Sequence, residues 1–458
     1  MRPPRRHEHA RPAGPAPAAT PPGPPREVEL EVERAVAGGR MLARHEGRVV
    51  LVRGAVPGER VRARLEREQK GVWFAEVVDV LTPSPDRRDA GPDPACGGMA
   101  YAHITPARQR QLKAEIVADT FARIGATRIS PPAVHASAGG YRMRVRLHVR
   151  GGRLGSFREG THEVCDLRTT GQVVDATLDV VDALAACLKG HGVDRLEAVE
   201  ITENLDASQR VVHLECGPGE VMSAAVLSAA GAIAGVTGVS AARAWQPRLL
   251  AASGVPWVED PVASFTGQAT PAPDAGTSGG ATATLRRHAR AFFQANRHLA
   301  GTLTRAVLAR IAGAPVVDLY AGVGLFALAA ATTGFAPVVA VEWDAVSGAD
   351  LDTNAGAFAP RVRVIRSPVE AFLARARRPE AGTLIVDPPR TGISREAMEG
   401  ILTVRSPRIV YVACDVATMA RDARRLMDAG YEMGELEAFD LFPGTAHVEA
   451  LASFDRRA

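Results

Sequence analysis

The residues best suited to chemistry in this chain follow two short apolar runs near its C-terminal end. One run, residues 383–387, leads into Asp387-Pro-Pro-Arg390-Thr-Gly392, and the other, residues 408–413, is followed by Cys414 and Asp415. The two prolines restrict the backbone around them, so the Asp387 carboxylate is presented in one fixed direction. A lone buried cysteine is usually a small hydrophobic residue. The position of Cys414 at a predicted strand tip favours a nucleophile instead.

A second stretch, Asp318-Leu-Tyr320-Ala-Gly322-Val-Gly324, predicts a ligand seat. A β-branched run precedes it and an alanine-rich apolar run follows, which indicates a strand, a tight turn and a helix. Gly322 and Gly324 allow a ligand to approach the free N–H groups at the start of that helix. The next predicted strand ends at Glu342, where a carboxylate can bind both ribose hydroxyls of a nucleoside cofactor. This pattern favours S-adenosylmethionine over NAD, with a plain turn as the third alternative.

The elements that must position these residues alternate between strands and helices. Strands are predicted at residues 315–319, 337–342, 361–365, 383–387 and 408–413. This alternation is typical of a Rossmann-like α/β domain with a doubly wound, mostly parallel sheet, whose ligands bind at the carboxyl ends of the strands. Two final apolar runs, 431–439 and 448–454, are joined only by a turn, so they predict an antiparallel hairpin. Such a hairpin favours the methyltransferase variant of the fold.

Composition divides the rest of the chain into four further segments. We predict a disordered, basic, Pro/Ala-rich tail at residues 1–26, a small β-barrel at 27–82, a mixed α+β middle domain at 83–267 and a low-complexity linker at 268–284, before the cofactor domain at 285–458. The tail carries five arginines and one glutamate, which accounts for the whole net charge of +4. The remainder is formally neutral, so charge alone does not indicate a nucleic-acid partner.

Other features of the composition limit the class of protein. No apolar run approaches the ~20 residues of a membrane span, and the N-terminus has no signal-peptide pattern, so we expect a cytoplasmic protein with no membrane partner. The five cysteines are scattered and odd in number, which argues against a disulfide framework and predicts at least one free thiol.

The barrel segment is predicted from alternating strands at residues 28–32, 47–52, 60–65 and 73–80. Short strands in so small a segment are typical of oligonucleotide-binding (OB-like) barrels. The segment resembles a TRAM domain, an RNA-associated barrel, through Gly38-Gly-Arg40, Val56-Pro-Gly-Glu-Arg60 and Pro83-Ser-Pro85. A barrel without a ligand is the alternative.

The C-terminal motifs resemble, in order, those of the RNA 5-methyluridine (uracil-C5) methyltransferases. The matching motifs are Phe292-Phe-Gln294-Ala-Asn296, Asp318-Leu-Tyr320-Ala-Gly322-Val-Gly324, Asp387-Pro-Pro-Arg390-Thr-Gly392, Tyr411-Val-Ala-Cys414-Asp415, and Phe442-Pro443 with His447-Val-Glu449. The resemblance implies methyl transfer from S-adenosylmethionine to C5 of a uridine. It also implies that the cofactor contacts Gln294, Tyr320, Glu342 and Asp387, that Cys414 is the nucleophile and that Glu449 is the base.

The chemistry of uracil agrees with these roles. C5 is a poor nucleophile until a thiolate adds at C6, and the C5 proton must then leave before the thiolate can be eliminated. Arg390 can stabilise the enolate oxygen or hold a phosphate, and both roles stay open. We expect an RNA partner with its target uridine flipped out, bound by a monomer. Ribosomal RNA is favoured over tRNA because the barrel accompanies the ribosomal branch of the family.

The chain departs from that branch at its iron–sulfur site. The branch carries Cys-x5-Cys-Gly-Gly-Cys and a distant fourth cysteine; here Cys96 and Cys165 fit two positions, and Ala90 and Met99 occupy the others. Two thiolates are too few for four-cysteine coordination, so we predict no iron–sulfur cluster and no other metal. Two alternatives to the enzyme remain: a non-catalytic RNA-binding protein with a remnant methyltransferase domain, and an NAD-dependent oxidoreductase.

Overall fold

A computed structural model describes residues 26–193, 195–220, 222–243, 246, 249–268, 283–375 and 380–457. The predicted tail and linker lie, apart from residues at their edges, outside the described residues. The described chain forms two compact units, one containing residues 26–34 and 40–84 and the other containing residues 35–39 and 85–457. In the described part of the chain, no helix has the length and apolar character that crossing a membrane requires.

The first unit is a closed barrel, as the sequence predicts, and it has five strands. Its strands are β1 (Glu27–Ala35), β2 (Met41–His45), β3 (Arg48–Arg53), β4 (Arg60–Gln69) and β5 (Val72–Thr82). They close in the order β1-β2-β3-β5-β4, with alternate β1 residues such as Val28, Leu30 and Val32 facing the interior. The sequence predicted only four strands. It missed β2 because this strand is short and has no β-branched residue, so its pattern is weak.

The described residues in the middle of the chain form eight strands, three α-helices and one 3-10 helix. They are α1 (Pro106–Arg123), β6 (Val134–His135), β7 (Arg144–Arg150), β8 (Arg153–Phe157), β9 (Val164–Cys165), a 3-10 helix (Leu167–Thr170), α2 (Asp175–Gly190), β10 (Leu196–Glu203), β11 (Arg210–Cys216), α3 (Ala224–Gly231), β12 (Gly238–Arg243) and β13 (Leu249–Gly254). Seven of these strands form one sheet in the order β13-β12-β11-β10-β7-β8-β9. Its apolar face packs against α2 and α3.

The remaining elements build the C-terminal sheet and its helices. They are β14 (Trp257–Pro261), α4 (Ala263–Thr266), β15 (Thr284–His288), α5 (Ala300–Ala309), β16 (Val316–Leu319), α6 (Leu325–Thr332), β17 (Val338–Glu342), α7 (Ala345–Gly356), β18 (Val362–Arg366), α8 (Val369–Leu373), β19 (Thr383–Val386), α9 (Arg395–Val404), β20 (Arg408–Ala413), α10 (Val416–Asp428), β21 (Tyr431–Phe439) and β22 (Glu449–Arg456). β14 and β15 pair only with each other.

The C-terminal sheet has the order β18-β17-β16-β19-β20-β22-β21-β6. Strands β16 to β20 are parallel, and β22 runs antiparallel to both β20 and β21. Helices α5, α6 and α7 cover one face, and α1, α8, α9 and α10 cover the other. Burial on both faces explains why these strands read as continuous apolar runs. The predicted α/β fold with a terminal antiparallel hairpin is confirmed.

Two segments that precede the seven-stranded sheet in the chain belong with the C-terminal sheet: one packs on it and the other pairs with its edge strand. Val117 and Phe121 of α1 lie in the same apolar core as α10, and β6 pairs in parallel with β21. No local pattern marks β6, because a two-residue strand has no periodicity. The predicted domain boundaries stay predictions.

One expectation about the cysteines is wrong. Cys96 and Cys165 form a disulfide with an S–S distance of 2.06 Å, although the sequence argued against such bonds. The two cysteines are 69 residues apart, so no local pattern predicts that they pair. The bond depends on β9, which contains Cys165, pairing with β8. Cys187, Cys216 and Cys414 are free, as predicted for at least one cysteine. Asp93 is the third potential metal ligand beside the disulfide, and this donor set does not fit a four-cysteine cluster.

A buried glutamate in the barrel yields a test of stability. Glu59 accepts hydrogen bonds from the Val56 N–H (2.8 Å) and the Ser84 N–H (3.1 Å) and is 1% exposed. We predict that Glu59→Ala lowers the free energy of opening of the barrel by about 2 kcal/mol, because two buried donors lose a charged acceptor. Hydrogen exchange of β1 and β4 amides measures this change.

The matched control is Glu29→Ala, which removes an exposed β1 carboxylate paired with Arg60. Its effect should stay below about 0.5 kcal/mol, as for most surface ion pairs. Equal protection in Glu59→Ala and the unaltered protein would contradict the prediction.

Candidate active site

The carboxyl ends of four parallel strands meet at one edge of the C-terminal sheet. In register, Leu319 of β16 pairs with Val341 of β17 and Val386 of β19, and Val386 pairs with Tyr411 of β20. Four predicted site residues stand at or just beyond these pairs: Tyr320, Glu342, Asp387 and Cys414. The structure therefore brings the predicted cofactor residues and the predicted nucleophile to the same edge.

The antiparallel strand β22 adds the predicted base. Ala413 pairs with Ala450, so Cys414 and Glu449, the next residue outward on each strand, lie across from one another. Glu449 also pairs with Phe439 in the last rung between β21 and β22. Its side chain is almost wholly buried, while Cys414 is partly exposed. A thiol and a carboxyl group thus lie next to one another at the ends of two neighbouring strands.

The glycine loop between β16 and α6 contacts the end of β17. The Gly322 N–H donates to Glu342 Oε2 at 2.7 Å, and the Trp343 and Asp344 N–H groups donate to Oε1 at 2.7 and 2.6 Å. These hydrogen bonds hold the Glu342 carboxylate at the edge of the sheet where the carboxyl ends of the strands meet.

Gly324 has φ +99°, and a Cβ there would lie 2.7 Å from Leu351 Cδ1. Only glycine meets both constraints without strain. A Cβ on Gly322, in contrast, would meet no atom within 4 Å, so the protein leaves space beside the loop. A nucleoside cofactor fits this combination of open backbone and fixed carboxylate.

Gln294 reaches the site from the segment before α5. Its Nε2 donates to Asp387 Oδ2 at 3.3 Å, and the side chain is buried. The segment is fixed by its neighbour Asn296, whose Nδ2 donates to the Leu441 carbonyl (2.9 Å) and whose Oδ1 accepts from the His298 and Leu299 N–H groups. The hydrogen bonds of Asn296 therefore link this segment to the β21–β22 hairpin.

The loop that carries Arg390 is held against α10. Gly392 has φ +75°, and a Cβ there would lie 2.6 Å from Asp422 Oδ2. The buried Asp422 carboxylate accepts from the Ile393 N–H (2.9 Å) and from the Tyr411 hydroxyl (3.1 Å). The sequence analysis missed Asp422, although an acid on the apolar face of an amphipathic helix was a signal that could have revealed it.

The charged groups of the site act on each other. Burial, together with the Glu449 and Asp387 carboxylates, raises the pKa of the Cys414 thiol to about 11, and Arg390 opposes this rise. Burial raises the pKa of Asp387 to about 7. Burial, with the nearby Asp387 carboxylate, raises the pKa of Glu449 well above its usual range. In the free protein at neutral pH, Cys414 is therefore a thiol, Glu449 favours its protonated form, and Asp387 is divided between its protonated and ionised forms.

Comparisons with known proteins show which sequences and domains this chain is similar to. Residues 279–457 match the family model of the tRNA (Uracil-5-)-methyltransferases, and residues 25–78 match the TRAM domain. An uncharacterized RNA methyltransferase of Streptomyces coelicolor is 31% identical over 94% of this chain and 93% of its own. The 23S rRNA (uracil(1939)-C(5))-methyltransferase RlmD of Alkalilimnicola ehrlichii is 31% identical over 95% of this chain and 98% of its own.

A solved structure shares the fold over nearly the whole chain. It is the Pyrococcus abyssi tRNA (uracil-54, C5)-methyltransferase in complex with S-adenosyl-L-homocysteine, with a TM-score of 0.72, 19% identity, and 93% of this chain and 99% of that chain covered. The chain belongs to the S-adenosylmethionine-dependent RNA (uracil-C5) methyltransferases. The predicted family, enzyme class and cofactor are confirmed, and the oxidoreductase alternative is set aside. The roles predicted for individual residues stay predictions.

The raised pKa of Cys414 gives a test on the free protein. The thiolate is the reactive form, and a pKa of about 11 leaves little of it at neutral pH. We predict that alkylation of Cys414 by iodoacetamide speeds up about tenfold per pH unit between about pH 7 and 9. Mass spectrometry of the Cys414 peptide measures the rate.

Two variants check the cause of this shift. Glu449→Gln should speed alkylation at about pH 9, because it removes a negative charge that raises the thiol pKa, and Arg390→Met should slow it. Rapid alkylation that does not change with pH would show that Cys414 is already a thiolate.

Proposed function

We propose that this protein methylates C5 of one uridine in ribosomal RNA through a covalent bond between Cys414 and C6 of the base. The observation that carries the proposal is the pairing of Ala413 with Ala450, which sets Cys414 opposite Glu449. The Alkalilimnicola relative, matched over nearly its whole length, is named for 23S rRNA, which supports a ribosomal substrate. The TRAM-type barrel supports RNA binding by a second unit. We expect the protein to act as a monomer in the cytoplasm, where ribosomal RNA is modified.

The first chemical step is addition to the base. Cys414 loses its proton to solvent and its thiolate attacks C6, while the C5–C6 double bond breaks and its electrons form an enolate on the C4 oxygen. Because the thiol pKa is raised in the free protein, this step needs a positive charge near the sulfur. Bound S-adenosylmethionine supplies such a charge at its sulfonium, together with an electrophilic methyl group. Arg390 is placed to stabilise the thiolate or the enolate, since its charge already acts on Cys414.

The later steps transfer the methyl group and release the RNA. The enolate carbon C5 forms a bond to the methyl group, which leaves C5 with both a methyl group and a proton. Glu449, which must be ionised in the complex with the cationic cofactor, removes that proton, the C5–C6 double bond re-forms and the Cys414–C6 bond breaks. A carboxyl group with a raised pKa is a stronger base than a solvated one, which suits this role. Gln294, Tyr320, Gly322, Gly324, Glu342 and Asp387 hold the cofactor in this proposal.

The uridine must leave its stack for both faces of the ring to be reached. Cys414 approaches C6 from β20, while Glu449 approaches from β22, so the base has to enter between two strands. A stacked base cannot do so. We therefore propose that the target uridine is flipped out, and that RNA is bound in a single-stranded form around the site.

The order of these steps predicts different failures for two variants. Cys414→Ala should neither methylate RNA nor form an adduct, because no enolate arises. Glu449→Gln should add to the base and accept the methyl group, then stall with the C5 proton in place. Denaturing electrophoresis should show a protein–RNA adduct that carries label from the methyl group of the cofactor.

Two matched controls accompany these variants: Cys187→Ala, a free cysteine on α2, and Glu432→Gln, an exposed acid on β21. Both should behave as the unaltered protein. Normal turnover in Glu449→Gln would assign the base to another residue. Methylation by Cys414→Ala would disprove the covalent mechanism. Inactivity of the unaltered protein on every RNA tested would instead favour the non-catalytic RNA-binding alternative.

The choice of RNA is tested in a strain that lacks this protein. Nucleoside mass spectrometry should show loss of one 5-methyluridine from ribosomal RNA, with tRNA unchanged. Mapping the lost methyl group identifies the nucleotide, and expression of the unaltered protein, but not of Cys414→Ala, should restore it. Loss of the methyl group from tRNA would overturn the ribosomal assignment and leave the chemistry in place.

A further inference from the structure

The residues between β21 and β22, 440–448, form a loop that leads directly into Glu449. We call this segment the hairpin loop. Its first residue, Asp440, follows Phe439, which pairs with Glu449 in the last rung of the hairpin. A strand is held on fewer sides at its end than at its centre, so the place of Glu449 depends on what fixes the hairpin loop.

A lysine on α1 makes the main side-chain contact with this loop. Lys113 Nζ lies 2.5 Å from Asp440 Oδ1 and 3.1 Å from the Phe442 carbonyl oxygen. Lys113 is 0% exposed and Asp440 is 3% exposed. A buried ammonium group is costly unless it is paired and hydrogen-bonded, and both partners of Lys113 belong to the hairpin loop.

The same face of α1 holds the loop at a second point. Gln109, one turn before Lys113, accepts from the Gly444 N–H at 2.9 Å and donates to the Tyr101 and Ile104 carbonyls. The Tyr101 N–H in turn donates to the Gly444 carbonyl at 2.7 Å. Together these contacts fix the first residue and the middle of the hairpin loop, Asp440 and Gly444, from one helix and the residues that precede it.

Four of the other predicted site residues reach the edge of the sheet on strands that this loop does not join, whereas the Gln294 segment contacts the loop through Asn296 and Leu441. Tyr320, Glu342, Asp387 and Cys414 follow parallel strands whose partners are one another. Glu449 is the residue whose backbone enters the site directly from the hairpin loop. Loosening the loop should therefore disturb proton removal more than cofactor binding or thiol attack.

We propose that Lys113 is a positioning residue for the proton-removal step, because its contacts with Asp440 and Phe442 fix the end of the hairpin that carries Glu449. The inference rests on the proposed function, in which Glu449 is the base. Lys113 does not touch the uridine in this proposal. It acts through the hairpin loop.

Lys113→Met tests the inference by comparing the rate of adduct formation with the rate at which methylated RNA is released. Ribosomal RNA from the deletion strain and S-adenosylmethionine labelled on its methyl group serve as probes. We expect release of methylated RNA to slow about 10- to 100-fold, the usual cost of misplacing a catalytic group by about 1 Å. Adduct formation and cofactor affinity should change by less than about threefold, so the labelled adduct should accumulate as it does in Glu449→Gln.

Two further variants separate positioning from simple stability. Lys113→Met combined with Asp440→Leu replaces the buried ion pair by apolar side chains, which often restores stability. It should regain the melting temperature of the unaltered protein yet still accumulate the adduct, because the contact with Phe442 is absent. Lys113→Arg keeps the charge and the donors, so it should release product faster than Lys113→Met. Lys189→Met, an exposed lysine on α2, is the matched control.

The outcomes distinguish the inference from the proposed function. Full product release by the stable double variant would reduce the ion pair to a structural role and overturn the inference. Equal loss of adduct formation and product release in both Lys113 variants would also overturn it. If Glu449→Gln stalls as an adduct while Lys113→Met does not, only the inference fails. If Glu449→Gln itself does not stall, the proposed function fails first.

Discussion

The site depends on the register between β20 and β22. Side chains alternate between the faces of a strand, so a slip of one residue would turn every β22 side chain to the opposite face. With Ala413 paired to Ala450, Glu449 meets Cys414, and Leu451 and Phe454 point into the apolar cores. Core packing therefore fixes the register, and the register fixes which carboxyl group meets the thiol.

Burial shifts the pKa values of the ionisable groups in this site. Burial raises the pKa values of Glu449, Asp387 and Cys414 in the free protein, and neighbouring negative charge also raises those of Glu449 and Cys414. Arg390 lowers the pKa of both Cys414 and Glu449. A cationic methyl donor and an electron-rich enolate fit such a site. The charge on each can shift the protonation of neighbouring groups whose pKa values are already raised.

The site is also supported by residues that do no chemistry. Asp422 holds the loop after Asp387, Asn296 joins the Gln294 segment to the hairpin, and Lys113 holds the hairpin loop. Each is a buried polar group that hydrogen-bonds to at least one backbone atom of a loop that carries or adjoins a predicted site residue. Buried polar side chains of this kind specify one geometry, because any other arrangement leaves them unpaired.

The sequence alone was sufficient for the parallel sheet, the glycine loop at Gly322 and Gly324, and the strand tips at Glu342, Asp387 and Cys414. These features depend on local periodicity and on residues close in the chain, where propensity and turn chemistry act directly. Only the tertiary structure decided that Lys113 meets Asp440, 327 residues away, that Cys96 bonds to Cys165, and that β6 extends the C-terminal sheet. Such contacts leave no local pattern, because they arise when separate elements pack and bury their polar groups together.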